Sequence, residues 1–342
     1  FLNVTGVQTC ALPISLIIVL SLSPYFTIMQ QKRIQNRISE SRWTQVYVVS
    51  AATLVWTIAG LYNTSVIVPG VCILLATYLM MELNNANALI RIYSRMVSCS
   101  FLVFATMAAF MFPSIQTAII MLGFVGFYTF AFRCYQHTHA PGWTFYAFFC
   151  IGMASIVWVQ TLFFLPVLWI IMRTNTLSMS PRNFVASLLG IVLPYWFYAG
   201  YLAAKGDITL LISHFEKIAV FAEPFNLKLL NFSQVLTLSL VLVCAIIGIV
   251  HFMNQKRNDN IRTRLFYQVF ITIDLVTIGF LLLQPQHYEA LLSIMIVTTA
   301  PLIAHFFALT RTKITNWMFH ILSYSAIIIT LFNLWNLLHK YL

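Results

Sequence analysis

The chain has 342 residues, of which 61% are hydrophobic and 8% charged, and its formal net charge is +11. Soluble domains carry about 25% charged residues, so this composition excludes an ordinary water-soluble fold and points to one solvated by lipid. No basic stripe interleaved with aromatics occurs, so the positive charge does not indicate nucleic acid as a partner.

The first residue is Phe, and FLNVTGVQTCALPI (Phe1 to Ile14) resembles translated sequencing-adaptor read-through. Ser15 to Ile28 is apolar but short, and the segment lacks the basic front end of a signal peptide. Residues 1–28 are therefore expected to be a non-native or truncated leader. Met29 opens a basic arm, MQQKRIQNRISESRW, and 29–342 is expected to form one multi-pass membrane domain without linker or visible repeat.

Apolar runs follow at 45–62, 66–81, 97–112, 115–131, 143–172, 183–204, 234–253, 265–283, 290–309 and 315–338. A spanning helix needs roughly 20 such residues. Strand-like alternation is absent, so the expected fold class is all-α, a polytopic transmembrane helical bundle, and not a β-barrel. Nine runs read as single helices, whereas 143–172 is long for one helix and short for two. Loop charge decides between the two. With a short helix pair there, the inside loops hold Lys32, Arg33, Arg37, Arg42, Arg91, Arg95, Arg133, Arg173, Arg182, Lys256, Arg257, Arg262, Arg264, Arg311 and Lys313. That is 15 bases, against 4 outside: Lys205, Lys217, Lys228 and Lys340. With a single span the split falls to 11 and 8. The pair is the better reading. It gives about 11 membrane helices, the amino terminus cytoplasmic and the carboxyl end outside.

In ELNNANALIRIYSR (82–95), Arg91 and Arg95 read as topology-setting charges, with contact to anionic lipid head groups as the functional alternative. The turn CYQHTHAP brings Cys134, His137 and His139 together without a fourth ligand at usable spacing. It reads as a polar turn ended by Pro141-Gly142, and no metal is expected. The six cysteines, Cys10 included, form no CxxC pair. Trp56, Trp143, Trp158, Trp169, Trp196, Trp317 and Trp335 mostly lie near run ends, as an aromatic belt would.

Acids are scarce, and Asp207, Glu216, Glu223 and Glu289 fall in the two loops assigned to the outside, along with His214 and His287. Across 205–233, Ile208, Leu211, Phe215, Ile218 and Ala222 recur at helical spacing. An amphipathic interfacial helix is expected there, with Asp207, His214, Glu216, Lys217 and Glu223 on its other face. The catalytic candidates are accordingly Asp207, His214, Glu216, Glu223 and Glu289, as acid/base groups. The plainer reading is a solvated helix face. Asp274, in FITIDLVTIG, is the acid set well inside an apolar run, and His251 and His305 on flanking runs are its candidate partners. It reads either as an ion-coupling group or as a neutral carboxyl that ties helices together. No GxxxxGK, GxSxG, HExxH, kinase or CxxCH motif occurs, and no cofactor is expected.

Region 97–204 runs helix, Pro113-Ser114 turn, helix, Arg133, then FCIGMASIVWVQTLFFLPVLWIIMR (149–173). Gly152, Ala154, Leu165, Pro166 and Leu168 there resemble the middle of the glycosyltransferase-C superfamily of lipid-linked sugar transferases. In that superfamily a G-x-A-containing short helix turns into a second one ending in L-P-x-L. Two features depart from it. The turn usually carries a Lys where Gln160 and Thr161 stand here, and the superfamily's catalytic acid sits in a large first outer loop, whereas Tyr62 to Ser65 holds no acid. Over roughly 30–310 the chain resembles small multi-pass membrane proteins of Bacteroidota that share this middle region. The resemblance implies a bacterial inner-membrane protein handling envelope lipids or lipid-linked glycans, with membrane lipids and a polyprenyl-linked substrate as partners. An ion-coupled transporter or flippase using Asp274, and a non-catalytic membrane scaffold, are the rival readings.

Overall fold

A computed structural model of the chain describes residues 33–221, 223–226 and 229–339. The leader 1–28 with Cys10, and Lys32, Ala222, Lys228 and Lys340 of the sequence readings, lie outside the described residues. Among the described residues there are 13 α-helices and no strand. In chain order they are α1 (Ile34–Glu40), α2 (Thr44–Tyr62), α3 (Ile67–Asn87), α4 (Met96–Met107), α5 (Ile115–Ala131), α6 (Pro141–Val157), α7 (Leu165–Thr174), α8 (Pro181–Lys205), α9 (Thr209–Glu216), α10 (Phe232–Gln255), α11 (Ile261–Leu283), α12 (Tyr288–Leu309) and α13 (Lys313–His339).

Eight of these helices, α2, α3, α5, α8, α10, α11, α12 and α13, are long and apolar enough to cross a membrane. The expected count of about 11 is not reached on that measure, because three apolar helices are shorter: Met96–Met107, Pro141–Val157 and Val159–Thr174. At 1.5 Å per residue, a 12-residue helix reaches only about 18 Å. The expected run 97–112 stops early because Ala108 leaves helical geometry (φ −82°, ψ 53°) and a 3-10 turn takes over at Ala109–Met111. The carbonyl thereby freed at Met107 is not stranded in an apolar setting, since Asn333 Nδ2 on α13 donates to it at 2.8 Å. The same amide reaches Thr237 Oγ1 on α10 at 2.9 Å, so one polar side chain joins three helices.

The 143–172 run folds as a hairpin. α6 ends where Trp158 turns extended (φ −140°, ψ 98°), a 3-10 segment covers Val159–Phe164, and Pro166 sits in the first turn of α7. Proline there removes an amide that has no helical partner anyway. The hairpin returns to the end it left: Gln136 N donates to Thr176 O at 2.8 Å, and Ser180 Oγ donates to Thr138 O at 2.8 Å. Its tip lies at the opposite end, where Trp158 Nε1 donates to His287 Nδ1 at 3.4 Å.

The two ends of the bundle differ in charge. Arg91 donates to Asn258 O, Arg262 to Asn87 Oδ1, Asn175 to Leu265 O and Arg33 to Arg311 O, which gathers these connections at one end. Every described lysine and arginine except Lys205 and Lys217 belongs to this basic end. Asp207, Glu216, Glu223 and Glu289 belong to the other, acidic end.

α12 is the hub. Its residues are buried from Ala290 to Ala308, and it packs against α4, α5, α10 and α11. A helix that is apolar all round is at home only inside such a ring. Two glycines set the closest approaches. A Cβ on Gly248 of α10 would come 2.8 Å from Leu302 C on α12, and one on Gly190 of α8 would come 2.5 Å from Phe145 O on α6. Small residues allow this backbone contact, which stands in for hydrophobic driving force inside a bilayer.

Candidate functional site

At the acidic end three elements converge: the hairpin tip, the 205–233 connection and the 284–289 turn. Gln160 Nε2 donates to Lys217 O at 3.0 Å, and Gln286 Nε2 donates to Val220 O at 3.2 Å. These two amides take carbonyls in the stretch that follows α9. The expected amphipathic helix accordingly spans only Thr209–Glu216 with a 3-10 turn at Lys217–Ala219, and Val220 is already extended. Pro224 reinforces the stop by disfavouring helical geometry at Glu223.

The docked face of α9 also differs from the expected one. His214, placed by periodicity on the solvated side, is its buried residue, at 9% exposure. Ile208, Leu210, Ile212 and Phe215 point outward instead. His214 Nε2 meets Ser155 O at 3.1 Å, with the rings of Tyr195 and Tyr198 beside it. Burial pushes this imidazole below the ordinary histidine range. The Ser155 carbonyl works against that shift, and the Lys217 charge adds to it. Gln160 and Thr161 of the tip are both buried, and Thr161 Oγ1 has no hydrogen-bond partner among the described residues.

Beside the tip lies a cleft of about 460 Å³. Gln116 and Thr117 of α5, Trp158, Leu229, Leu230, Gln234 of α10 and the stretch Pro285–Ala290 line it. Tyr288 Oη donates to Gln234 O at 2.6 Å and fixes one wall. Glu289 is the carboxylate of the cleft, and His287 is its imidazole. Asp207, Glu216 and Glu223 are exposed and do not line it, so the expected grouping of acids reduces to Glu289. Periodicity and charge gave no signal for Gln116, Gln234 or Tyr288. Trp158, one of the tryptophans that mostly lie near run ends as a belt would, is buried here against Phe280 and His287.

The intramembrane polar residues fall into two groups. Asp274 on α11 is fully buried. Its Oδ1 accepts from Thr298 Oγ1 at 2.7 Å and from Thr299 Oγ1 at 3.3 Å, both on α12, while Oδ2 has no partner among the described residues. His251 and His305, expected beside it, lie elsewhere. His305 Nε2 donates to Asp259 Oδ2 at 3.1 Å, and the two imidazoles pack with centroids 5.3 Å apart. Arg91 Nε lies 3.7 Å from Asp259 Oδ1 and completes the group at the basic end. The reason is axial: seven residues of α12 separate Thr298 from His305, roughly 10 Å along the helix.

Comparison with protein-family models, curated proteins and solved structures finds no match. The likeness of 97–204 to the glycosyltransferase-C superfamily rests on its sequence alone. In the turn after α5, Cys134 Sγ faces inward to Phe130 O and Thr144 Oγ1, whereas His137 and His139 are exposed. Among the described residues no group of three or more His, Cys, Asp or Glu is placed to hold a metal.

Proposed function

We propose that this multi-pass protein resides in a bacterial inner membrane and holds the polar headgroup of a lipid-linked glycan in the acidic-end cleft. The charge asymmetry supports a cytoplasmic basic end. The observation that carries the binding reading is the makeup of the cleft. Five side chains with amides or hydroxyls (Gln116, Thr117, Gln234, Gln286 and Tyr288), one imidazole and one carboxylate line it, and no described lysine or arginine does. Amides and hydroxyls both donate and accept, as sugar hydroxyls do. A phosphate as the bound group would call for a guanidinium or ammonium group, so the lining suits the glycan and leaves any phosphate linker outside the cleft. The volume suits a headgroup of one or two sugar rings, with polar contacts fixing its orientation. The lipid portion belongs outside the cleft, where Leu229 and Phe232 present exposed apolar surface at its rim.

Mass spectrometry of lipids that co-purify in mild detergent tests this. A polyprenyl-linked or other glycolipid should be enriched over the bulk extract, and Gln234→Ala with Glu289→Gln should lose that enrichment. Absence of any glycosylated lipid from the wild-type protein would reject the reading.

The unpartnered Oδ2 of Asp274 favours a second reading, ion-coupled transport. Under it, Asp274→Asn abolishes ion-dependent uptake in proteoliposomes. Unchanged uptake leaves the residue as a tie between α11 and α12.

A further inference from the structure

A second site lies at the opposite end, between α2 and α3. These helices are sequence neighbours, yet they make few direct contacts. They approach at Trp56 and Gly70, where a Cβ on the glycine would stand 3.1 Å from the indole. Toward the basic end they leave a groove of about 730 Å³. Val46, Val49 and Met81 form its apolar walls, and Arg42, Tyr93 and Arg95 line it as well. Both guanidinium groups sit by one phenol ring, 5.9 Å and 5.3 Å from its centroid. Arg95 Nε donates to Tyr93 Oη at 3.0 Å, while its Nη1 is buried without a hydrogen-bond partner among the described residues.

We infer that this groove binds an anionic phospholipid of the surrounding bilayer, its phosphate on Arg42 and Arg95 and an acyl chain along Val46, Val49 and Met81. Scattered arginines at a membrane surface need only set topology. Here two converge on one aromatic ring at an apolar trough, and one keeps a spare buried donor. Guanidinium groups match phosphate oxygens with paired hydrogen bonds. Two adjacent cations also disfavour a zwitterionic headgroup, whose ammonium would approach them. An acyl chain fits the trough because its wall opens onto the outer surface of the bundle at Val46, which is 53% exposed.

The test is native mass spectrometry of the delipidated full-length protein, titrated with phosphatidylglycerol or with phosphatidylcholine of the same chains. A third arm adds inorganic phosphate to the phosphatidylglycerol complex. Phosphatidylglycerol should bind on the order of tenfold tighter, with about a fivefold loss for each of Arg42→Gln and Arg95→Gln. Arg182→Gln, a basic-end control away from the groove, should change nothing. Equal binding of the two lipids, or displacement by equimolar phosphate, overturns the inference; the latter makes the site one for free anions. A diazirine-bearing phosphatidylglycerol on the wild-type protein decides independently of whether the variants fold. Cross-links on the peptides holding Val46 and Val49, or Met81, support the site, and cross-links only elsewhere reject it. Retention of glycolipid by the arginine variants separates this result from the acidic-end cleft.

Discussion

Asp259 holds two cationic or potentially cationic partners, and its side chain is 2% exposed against 0% for His305. Removing one partner of a buried pair strands the other. His305→Leu or Asp259→Leu should therefore cost about 3–5 kcal/mol and lower the detergent Tm sharply. Losing Arg91, whose side chain is 42% exposed, should cost less than about 1 kcal/mol. Equal effects of the three variants would show that Asp259 is solvated. His214 gives a pH prediction. Its folded affinity for a proton is depressed, whereas in the unfolded chain it titrates near 6.5, so between these values the unfolded state binds more protons. The stability it contributes is present above about pH 6.5 and is lost as pH falls through that value toward the depressed folded one. Comparing Tm at pH 7.5 and 5.0 should show an acid-side loss in the wild type that is smaller in His214→Gln; identical losses would place the titration elsewhere. The Asp259–His305 pairing was not legible in the sequence. Helix rotation and axial offset set it, and a run of apolar residues specifies neither.

Among elements, α6 and α8 depend on a crossing at Gly190, where a side chain has no room short of Phe145 O. Gly190→Leu should force the hairpin away from α8 and cost about 3 kcal/mol, the upper end of ordinary overpacking losses. Gly200, on the same helix with open space around it, should accept leucine. Thermal unfolding of the two variants checks this, and matched losses would mean that α8 is sensitive throughout. The hairpin itself was legible, because loop charge demanded an even number of crossings over 143–172 and its ends do return to one side. The extent of α9 was not. Hydrophobic spacing runs on to Ala222, but the helix closes at Glu216, and just beyond it side-chain amides from two other segments take the carbonyls of Lys217 and Val220. Local periodicity cannot register such long-range partners.

For the whole molecule, the separation of bases from acids predicts a fixed orientation. A membrane-impermeant maleimide should label Ser213→Cys in intact cells and His139→Cys only after lysis, in a background whose native cysteines are replaced. Labelling of the second in intact cells would reverse the bundle. Charge patterning made this axis legible, since it needs only the loops. The acidic-end cleft was only half legible: the two loops that meet there carry its acids, but part of its amide lining comes from α5 and α10, whose Gln116 and Gln234 look like ordinary polar residues near helix starts.

The burial of α12 on every side bears on how the chain is made. As the chain emerges from the ribosome, α12 comes after eleven of the helices described, and by then α4, α5, α10 and α11 have entered the lipid. It packs against those four, while α13, made after it, contacts both α4 and α10 and meets α12 through Phe307 and Phe319. α12 can therefore enter on the side between α4 and α10, which α13 covers only afterwards. Nascent chains ending before Tyr288 should be inserted yet hollow, their inner walls solvated by lipid tails, and so a target for membrane proteolysis that the finished chain escapes.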